Sequence, residues 1–149
     1  MIHPDIRLSH SSANNFCAKQ LWYKKLGGAK FRYNFYSGAG TLVDAGYEAG
    51  LKNIMTGIPA CNIRKSMEKK LESMEGLLDY PEYLKLTESM DDHVRAVEDY
   101  IGWINYKPLE TQYFFNIIFE GHTRQTTGYM DIVAERQDLP LIIDIKRQS

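Results

Sequence analysis

The sequence predicts an α+β domain in which amphipathic helices come first and a three-stranded antiparallel meander follows. Three observations carry this. Between residues 37 and 106 the apolar residues recur at helical spacing. After Pro108 they gather into three short runs rich in β-branched and aromatic residues, separated by polar turns. No internal repeat, low-complexity segment or linker divides the chain, and 149 residues suffice for one domain with a real core.

In chain order, the hydroxyls of Leu8-Ser9-His10-Ser11-Ser12 can cap a helix, and Phe16, Leu21 and Trp22, with Gly27-Gly28 beyond them, bracket about four turns. Residues 29 to 36 alternate aromatic and basic side chains, and their period does not choose between a loop and a short extended piece. Ser37 and Gly38 open a second helix, with Leu42, Val43, Tyr47, Leu51 and Ile54 at helical intervals until Gly57 and Pro59 stop it. Gly40, Gly46 and Gly50 weaken that helix locally and point to close approach of another backbone. From Asn62 to Tyr106, Met67, Leu71, Met74, Leu77 and Leu78, and later Val94, Val97, Tyr100, Ile101 and Ile104, indicate two or three amphipathic helices broken near Asp79-Tyr80-Pro81.

Pro108 ends the helical part. Leu109 to Glu120 is a strand, Gly121 turns the chain, and Gly128 to Ala134 forms a second strand. Arg136-Gln137-Asp138 supplies a polar turn into a third strand from Leu141 to Lys146.

The formal net charge of −1 does not mark a nucleic-acid binder. Charge is uneven, however: residues 1 to 36 carry Arg7, Lys19, Lys24, Lys25, Lys30 and Arg32 against only Asp5. Trp22, Lys24, Lys25 and Arg32 could stack bases and hold phosphates, although aromatic residues on a helix are more often core and a basic face is often only solvated. Cys17 and Cys61 are too few for a disulfide framework and lack metal-ligand spacing, which indicates a reducing compartment. No apolar signal core follows Met1 and no run approaches a membrane span, so the expectation is a cytoplasmic protein without membrane contact.

The chemistry gathers on the last two strands. Residues two apart in a strand face the same way, so Asp144 and Lys146 project from one face with Ile145 on the other, and a hairpin lets Asp131 reach that face. Two acids and an amine converging there suit a hard divalent cation and phosphodiester hydrolysis. The competing reading is a solvated Asp-x-Lys ion pair on an edge strand, and such pairs contribute little. Asp44 and Glu48 lie one turn apart on the second helix, a spacing that repels unless both are exposed or share a cation. Asp91-Asp92 and Glu98-Asp99 read as solvated faces.

Asp131 followed after a short gap by Asp144-Ile145-Lys146 resembles the PD-(D/E)xK nuclease superfamily, and the rest of the chain resembles its RecB-like branch, which includes CRISPR-associated RecB-like and phage exonucleases. Residues 8 to 17 are similar to the branch's opening S-x-S-x-x-x-F helix, and Gly40 to Glu48 to its G-x-x-x-H-x-x-x-E helix. Glu110-Thr111-Gln112 stands at the start of the strand that precedes its G-x-x-D motif, here Gly128-Tyr129-Met130-Asp131. Each motif is weak by itself, whereas their joint order and spacing are fairly specific.

The resemblance implies one nuclease domain over 1–149 with a restriction-endonuclease-like core, ending before the family's C-terminal helix and strand. It implies Mg2+ or Mn2+ held by Asp131, Asp144 and the main-chain carbonyl of Ile145, with Lys146 as the catalytic lysine and Glu48 and Glu110 as accessory acids. Asp44 stands where the branch usually has a metal-binding histidine; aspartate also binds these ions, so the site either persists with harder ligands or is altered. Some members hold an iron–sulfur cluster through one early and three late cysteines. Cys17 is near the early position, but late cysteines do not occur, so no cluster is expected.

The implied function is a metal-dependent nuclease, chiefly an exonuclease, acting on single- or double-stranded DNA in recombination, repair or phage DNA processing, in a bacterial cell or phage-infected host. The alternative is a non-catalytic DNA-binding or protein-interaction module on the same scaffold. Oligomeric state, strand polarity and DNA versus RNA preference are not legible in the sequence.

Overall fold

The computed structural model describes residues 8–9, 32–121 and 125–145. Among these residues the architecture is α+β, with four helices followed by antiparallel strands. The helices are α1 (Phe35–Thr56), α2 (Ile63–Ser73), α3 (Tyr80–Glu88) and α4 (Met90–Trp103). The strands are β1 (Leu8–Ser9), β2 (Lys107–Ile118), β3 (Gln125–Arg136) and β4 (Leu139–Ile143).

Helix α1 begins two residues earlier than Ser37 and Gly38 suggest, because Asn34 is the cap. Its side chain accepts a hydrogen bond from the Ser37 amide at 2.8 Å, and the Ser37 hydroxyl accepts one from the Asn34 amide at 2.9 Å. This reciprocal box satisfies two amides that a helix start otherwise leaves without partners. The helix stops at Gly57, which sits at φ 67° and closes the last turn with a left-handed residue. Asn53 then grips the returning chain from both sides: its amide donates to the Cys61 carbonyl at 2.7 Å and its carbonyl accepts from the Cys61 amide at 2.8 Å. Asn62 caps α2 through the Lys65 amide.

Asp79-Tyr80-Pro81 is a helix start and not merely a break, since Pro81 lies in the first turn of α3, where its missing amide costs nothing. Helices α3 and α4 meet at Ser89, so the region of 62–106 holds three helices. Pro108, expected to close the helical part, instead lies buried near the start of β2.

The strands follow the expected meander with different limits. Strand β3 pairs with β4 antiparallel, with Ile132 opposite Ile143 and Arg136 opposite Leu139. Gln137 and Asp138, at φ 52° and 62°, form the two-residue connection, whose paired left-handed residues match the twist of a hairpin. Strand β4 ends at Ile143, so Asp144 and Ile145 lie past it, and the expectation of a strand running on to Lys146 is corrected there. Leu8 and Ser9, at the start of the stretch whose hydroxyls were expected to cap a helix, pair in parallel with Thr126 and Thr127 of β3. The first expected helix lies outside the described residues.

The described residues fall into two compact units. One comprises 32–111 and 131–145, the other 8–9, 112–121 and 125–130. In the first, Leu42, Met67, Leu71, Met74, Leu86 and Val97 form the centre of a helical core, and a smaller cluster joins Leu51 of α1 to Ile132 and Ala134 of β3. Full burial of one such side chain is worth about 1.5–3 kcal/mol. In the second, Phe114 and Tyr129 pack ring against ring at 5.2 Å, and the Phe115 ring covers Gly128. Gln112, at φ 52°, stands where β2 passes from the first unit to the second; a residue other than glycine is uncommon in the left-handed region.

Candidate functional site

The unit of 32–111 and 131–145 brings one helix and one hairpin together around three carboxylates. Along α1, Leu42, Gly46, Ala49, Gly50 and Leu51 are buried, and this stripe fixes the rotation of the helix. Asp44 projects from its solvent-facing side. In β3 the buried residues are Ile132 and Ala134, so alternation turns Asp131 to the opposite face, where it is half-buried. In the segment after β4, Ile143 and Ile145 pack against the Leu51, Ile132 and Ala134 cluster, while Asp144 between them is exposed.

Asp131 does more than stand near Asp144. Its Oδ2 accepts a hydrogen bond from the main-chain amide of Ile145 at 3.0 Å. The backbone ladder runs from Arg136 with Leu139 to Ile132 with Ile143; one step further, a carboxylate replaces the carbonyl as acceptor. This fastens Asp144 and Ile145 to β3 beyond the end of β4, and a charged acceptor makes that bond stronger than a neutral one.

The electrostatics show that the third acid belongs to the same neighbourhood. The Asp44 carboxyl is pushed up to about 6 by burial first, then by the negative charges of Asp131 and Asp144. Asp44 therefore keeps a solvent-exposed rim while the protein packed around it disfavours its charged form. Both hairpin acids lie near enough to act on it. Among the described residues, however, no three His, Cys, Asp or Glu side chains stand together as a ready group of metal ligands. The acids share a region without being drawn into a tight cage.

Of the other residues singled out in the sequence, Glu48 is exposed one turn beyond Asp44, and Glu110 is exposed on β2 and is not among the charges that act on Asp44. Arg32 is exposed and pairs with Asp79 at 3.2 Å. Trp22, Lys24, Lys25 and Lys146 lie outside the described residues.

A group of tyrosines, of which Tyr47 lies near Asp44, was not anticipated as a unit. Tyr47 of α1 and Tyr100 of α4 meet edge to face at 4.8 Å, and the Tyr100 and Tyr106 hydroxyls share a hydrogen bond of 2.9 Å. Burial raises the Tyr47 phenol, with smaller contributions from Tyr100 and from Asp44. Burial likewise raises Tyr106, helped by its bond to Tyr100. Tyr47 and Tyr106, both raised, stay protonated at neutral pH, and Tyr47 lies near enough to Asp44 to feel its charge. The apolar spacing that includes Tyr47 and Tyr100 placed both in a core, and nothing in that spacing says the hydroxyls would meet.

Among the described residues no helix is long and apolar enough to cross a membrane. Compared with protein-family models, with curated proteins and with solved structures, the chain matches none.

Proposed function

We propose that the chain is a metal-dependent deoxyribonuclease with a restriction-endonuclease-like core of the RecB-like PD-(D/E)xK kind, chiefly an exonuclease, acting in DNA recombination, repair or phage DNA processing. The observation that carries this reading is the Asp44 carboxyl. This helix acid is raised to about 6 by burial first and then by the charges of two hairpin acids, and those two belong to the D and D-x-K motifs. Structural acids are usually dispersed or paired with bases, whereas acids that disfavour one another's charge are characteristic of sites that await a cation.

The donor set suits Mg2+ or Mn2+, which favour carboxylate and carbonyl oxygens. Asp131, Asp144, Asp44 and the Ile145 carbonyl would hold the ion. When bound, it supplies Lewis acidity toward the phosphate and makes a water molecule more acidic. The protein's own part is to fix geometry: the Ile145 amide orients Asp131, and the Ile143 and Ile145 side chains anchor the segment that carries Asp144. Lys146, next in the chain, would supply a positive charge to the phosphate.

A second reading, a non-catalytic DNA-binding or protein-interaction module on the same scaffold, is favoured by two observations. Asp44 replaces the branch's usual histidine, and the described acids form no ready ligand group.

The test is cleavage of end-labelled linear and circular DNA with Mg2+, Mn2+ or EDTA. The nuclease reading expects divalent-ion-dependent loss of the linear substrate, abolished in Asp131→Asn and in Lys146→Ala while circular dichroism stays native. Retained cleavage in either variant overturns the residue assignment. Binding of DNA without cleavage in Mn2+, together with no heat of metal binding in calorimetry, would favour the second reading.

A further inference from the structure

Helices α1 and α2 pack closely because α1 presents glycine to its neighbour: a Cβ built on Gly46 would lie 2.8 Å from Met67 Sδ. Above this seam lies an open cleft of about 380 Å³. Its α1 wall comes from Ala45, Glu48, Ala49 and Lys52, and its α2 wall includes Ser66, Lys69 and Lys70. Both sets follow the three- and four-residue spacing of a single helix face. Lys52 and Lys69 are exposed and Lys70 is half-buried, and such long stems line a cleft while their ammonium groups keep to water.

The cleft carries three ammonium groups against the single carboxylate of Glu48. Among the described residues, no ion pair or hydrogen bond engages the side chains of Lys52, Lys69 or Lys70. Arg64 of the same α2 differs, since it is bound at 2.7 Å to Asp91. Ala45, on the α1 wall of the cleft, follows Asp44 in the chain. Lys52 lies eight residues beyond Asp44 on one helix, a separation of about 12 Å. That spans about three phosphates along one strand of a duplex.

We propose that this cleft is a phosphate-binding track for a nucleic-acid strand, in which Lys52, Lys69 and Lys70 hold successive backbone phosphates and Ser66 donates a hydrogen bond to one of them. It rests on the nuclease reading in assigning the bound strand to the neighbouring acids, but the binding itself needs no divalent ion. Ammonium groups contact phosphate without reading base identity, so the track is indifferent to sequence. It also counteracts the repulsion that the three acids exert on a polyanion.

The test uses the whole chain and a fluorescein-labelled single-stranded oligothymidine, with binding read by anisotropy in EDTA over a series of salt concentrations. The triple variant Lys52→Ala/Lys69→Ala/Lys70→Ala should bind about tenfold more weakly or worse, and the slope of log affinity against log salt should flatten by about 2, the value for three lost phosphate contacts on a single strand. Circular dichroism checks that the variant folds. A second readout leaves the lysines intact: Cys61 lines the same cleft, so in a Cys17→Ser chain its alkylation by iodoacetamide should slow several-fold when the oligonucleotide is bound.

Unchanged affinity and slope in the triple variant, an unaltered Cys61 rate, or no binding by the unaltered chain in EDTA each overturns the track. Its fate is separable from that of the nuclease. Lysine-dependent binding without cleavage in Mg2+ or Mn2+ keeps the track and removes the nuclease. Cleavage lost in Asp131→Asn, with binding indifferent to the three lysines, does the reverse.

Discussion

Strand β3 passes through two environments, and the contrast between its halves explains why the acids sit where they do. From Asp131 to Arg136 it belongs to the helical unit, and Ile132 and Ala134 are at 1% and 0% exposure. From Gln125 to Met130 it belongs to the other unit, where Tyr129 is 64% exposed. Strand β2 is exposed over most of its length on both sides of Gln112, with Pro108 buried before it and Phe114, Ile117 and Ile118 exposed after it. Asp131 is the first residue of β3 on the packed side, so the acid is backed by a core that can hold it in position.

The comparison is broken most directly by cutting each half. Leu51→Ala or Ile132→Ala removes a fully buried side chain from the small cluster behind the hairpin. Each should cost about 2–5 kcal/mol in urea denaturation. Ile118→Ala, at a residue 59% exposed, should cost about 1 kcal/mol or less. Equal losses in both halves would show that the outer strands are as well supported as the inner ones.

A smaller effect sharpens the account of α1. A methyl group at Gly46 would meet Met67 Sδ at 2.8 Å and both Val97 methyls at 3.1 Å, whereas at Gly40 nothing lies within 4 Å. Gly46→Ala should therefore destabilise by about 1–3 kcal/mol through overpacking. Gly40→Ala should stabilise by about 0.4–1 kcal/mol, since alanine is the better helix former and nothing opposes it. Opposite signs in thermal denaturation are the expected outcome. A stabilised Gly46→Ala would mean that the seam between α1 and its neighbours is looser than the distances say.

Much of this was legible in the sequence, and the misses have particular causes. The helical spacing of Leu42, Leu51, Met67, Leu71, Val94 and Val97 marked residues that are indeed core. The glycines of α1 point to close approach of another backbone; at Gly46 and Gly50 the close neighbours are instead the side chains of Met67, Val97 and Ile101, and at Gly40 nothing is close. The start of α1 was misplaced because Asn34 and Ser37 cap jointly, and Ser37, as the third helical residue, resembles a cap in its own right. The end of β4 was misplaced because Asp131 takes over the ladder with a side chain, and strand propensity cannot register a side-chain acceptor from the partner strand. Strand alternation singled out Asp131 and Asp144, and the family resemblance added Asp44. The lysine cleft went unread because its two walls lie on different helices, and only packing brings those faces together.

The smallest expected effect bears on Asp44 itself. Its carboxyl is raised from 3.8 to about 6, so in the ion-free protein the folded state binds this proton more tightly than the unfolded chain does. The sign follows from linkage: the stabilising contribution is complete below about pH 3.8 and is lost as pH rises through about 6. Between pH 5 and pH 7.5, in EDTA, this one group should lower the melting temperature, by an amount reduced by its solvent-exposed rim. Asp44→Asn removes the proton uptake and most of the repulsion from Asp131 and Asp144. The variant should therefore melt higher than the unaltered chain at pH 7.5 and show a flatter profile across that range. Mn2+ should raise the melting temperature of the unaltered chain at pH 7.5 more than at pH 5, because a protonated Asp44 is a poor ligand, and the gain should shrink in Asp44→Asn. If the two chains keep parallel profiles with and without the ion, Asp44 is not coupled to the hairpin acids, and the packed half of β3 supports a strand but not a site.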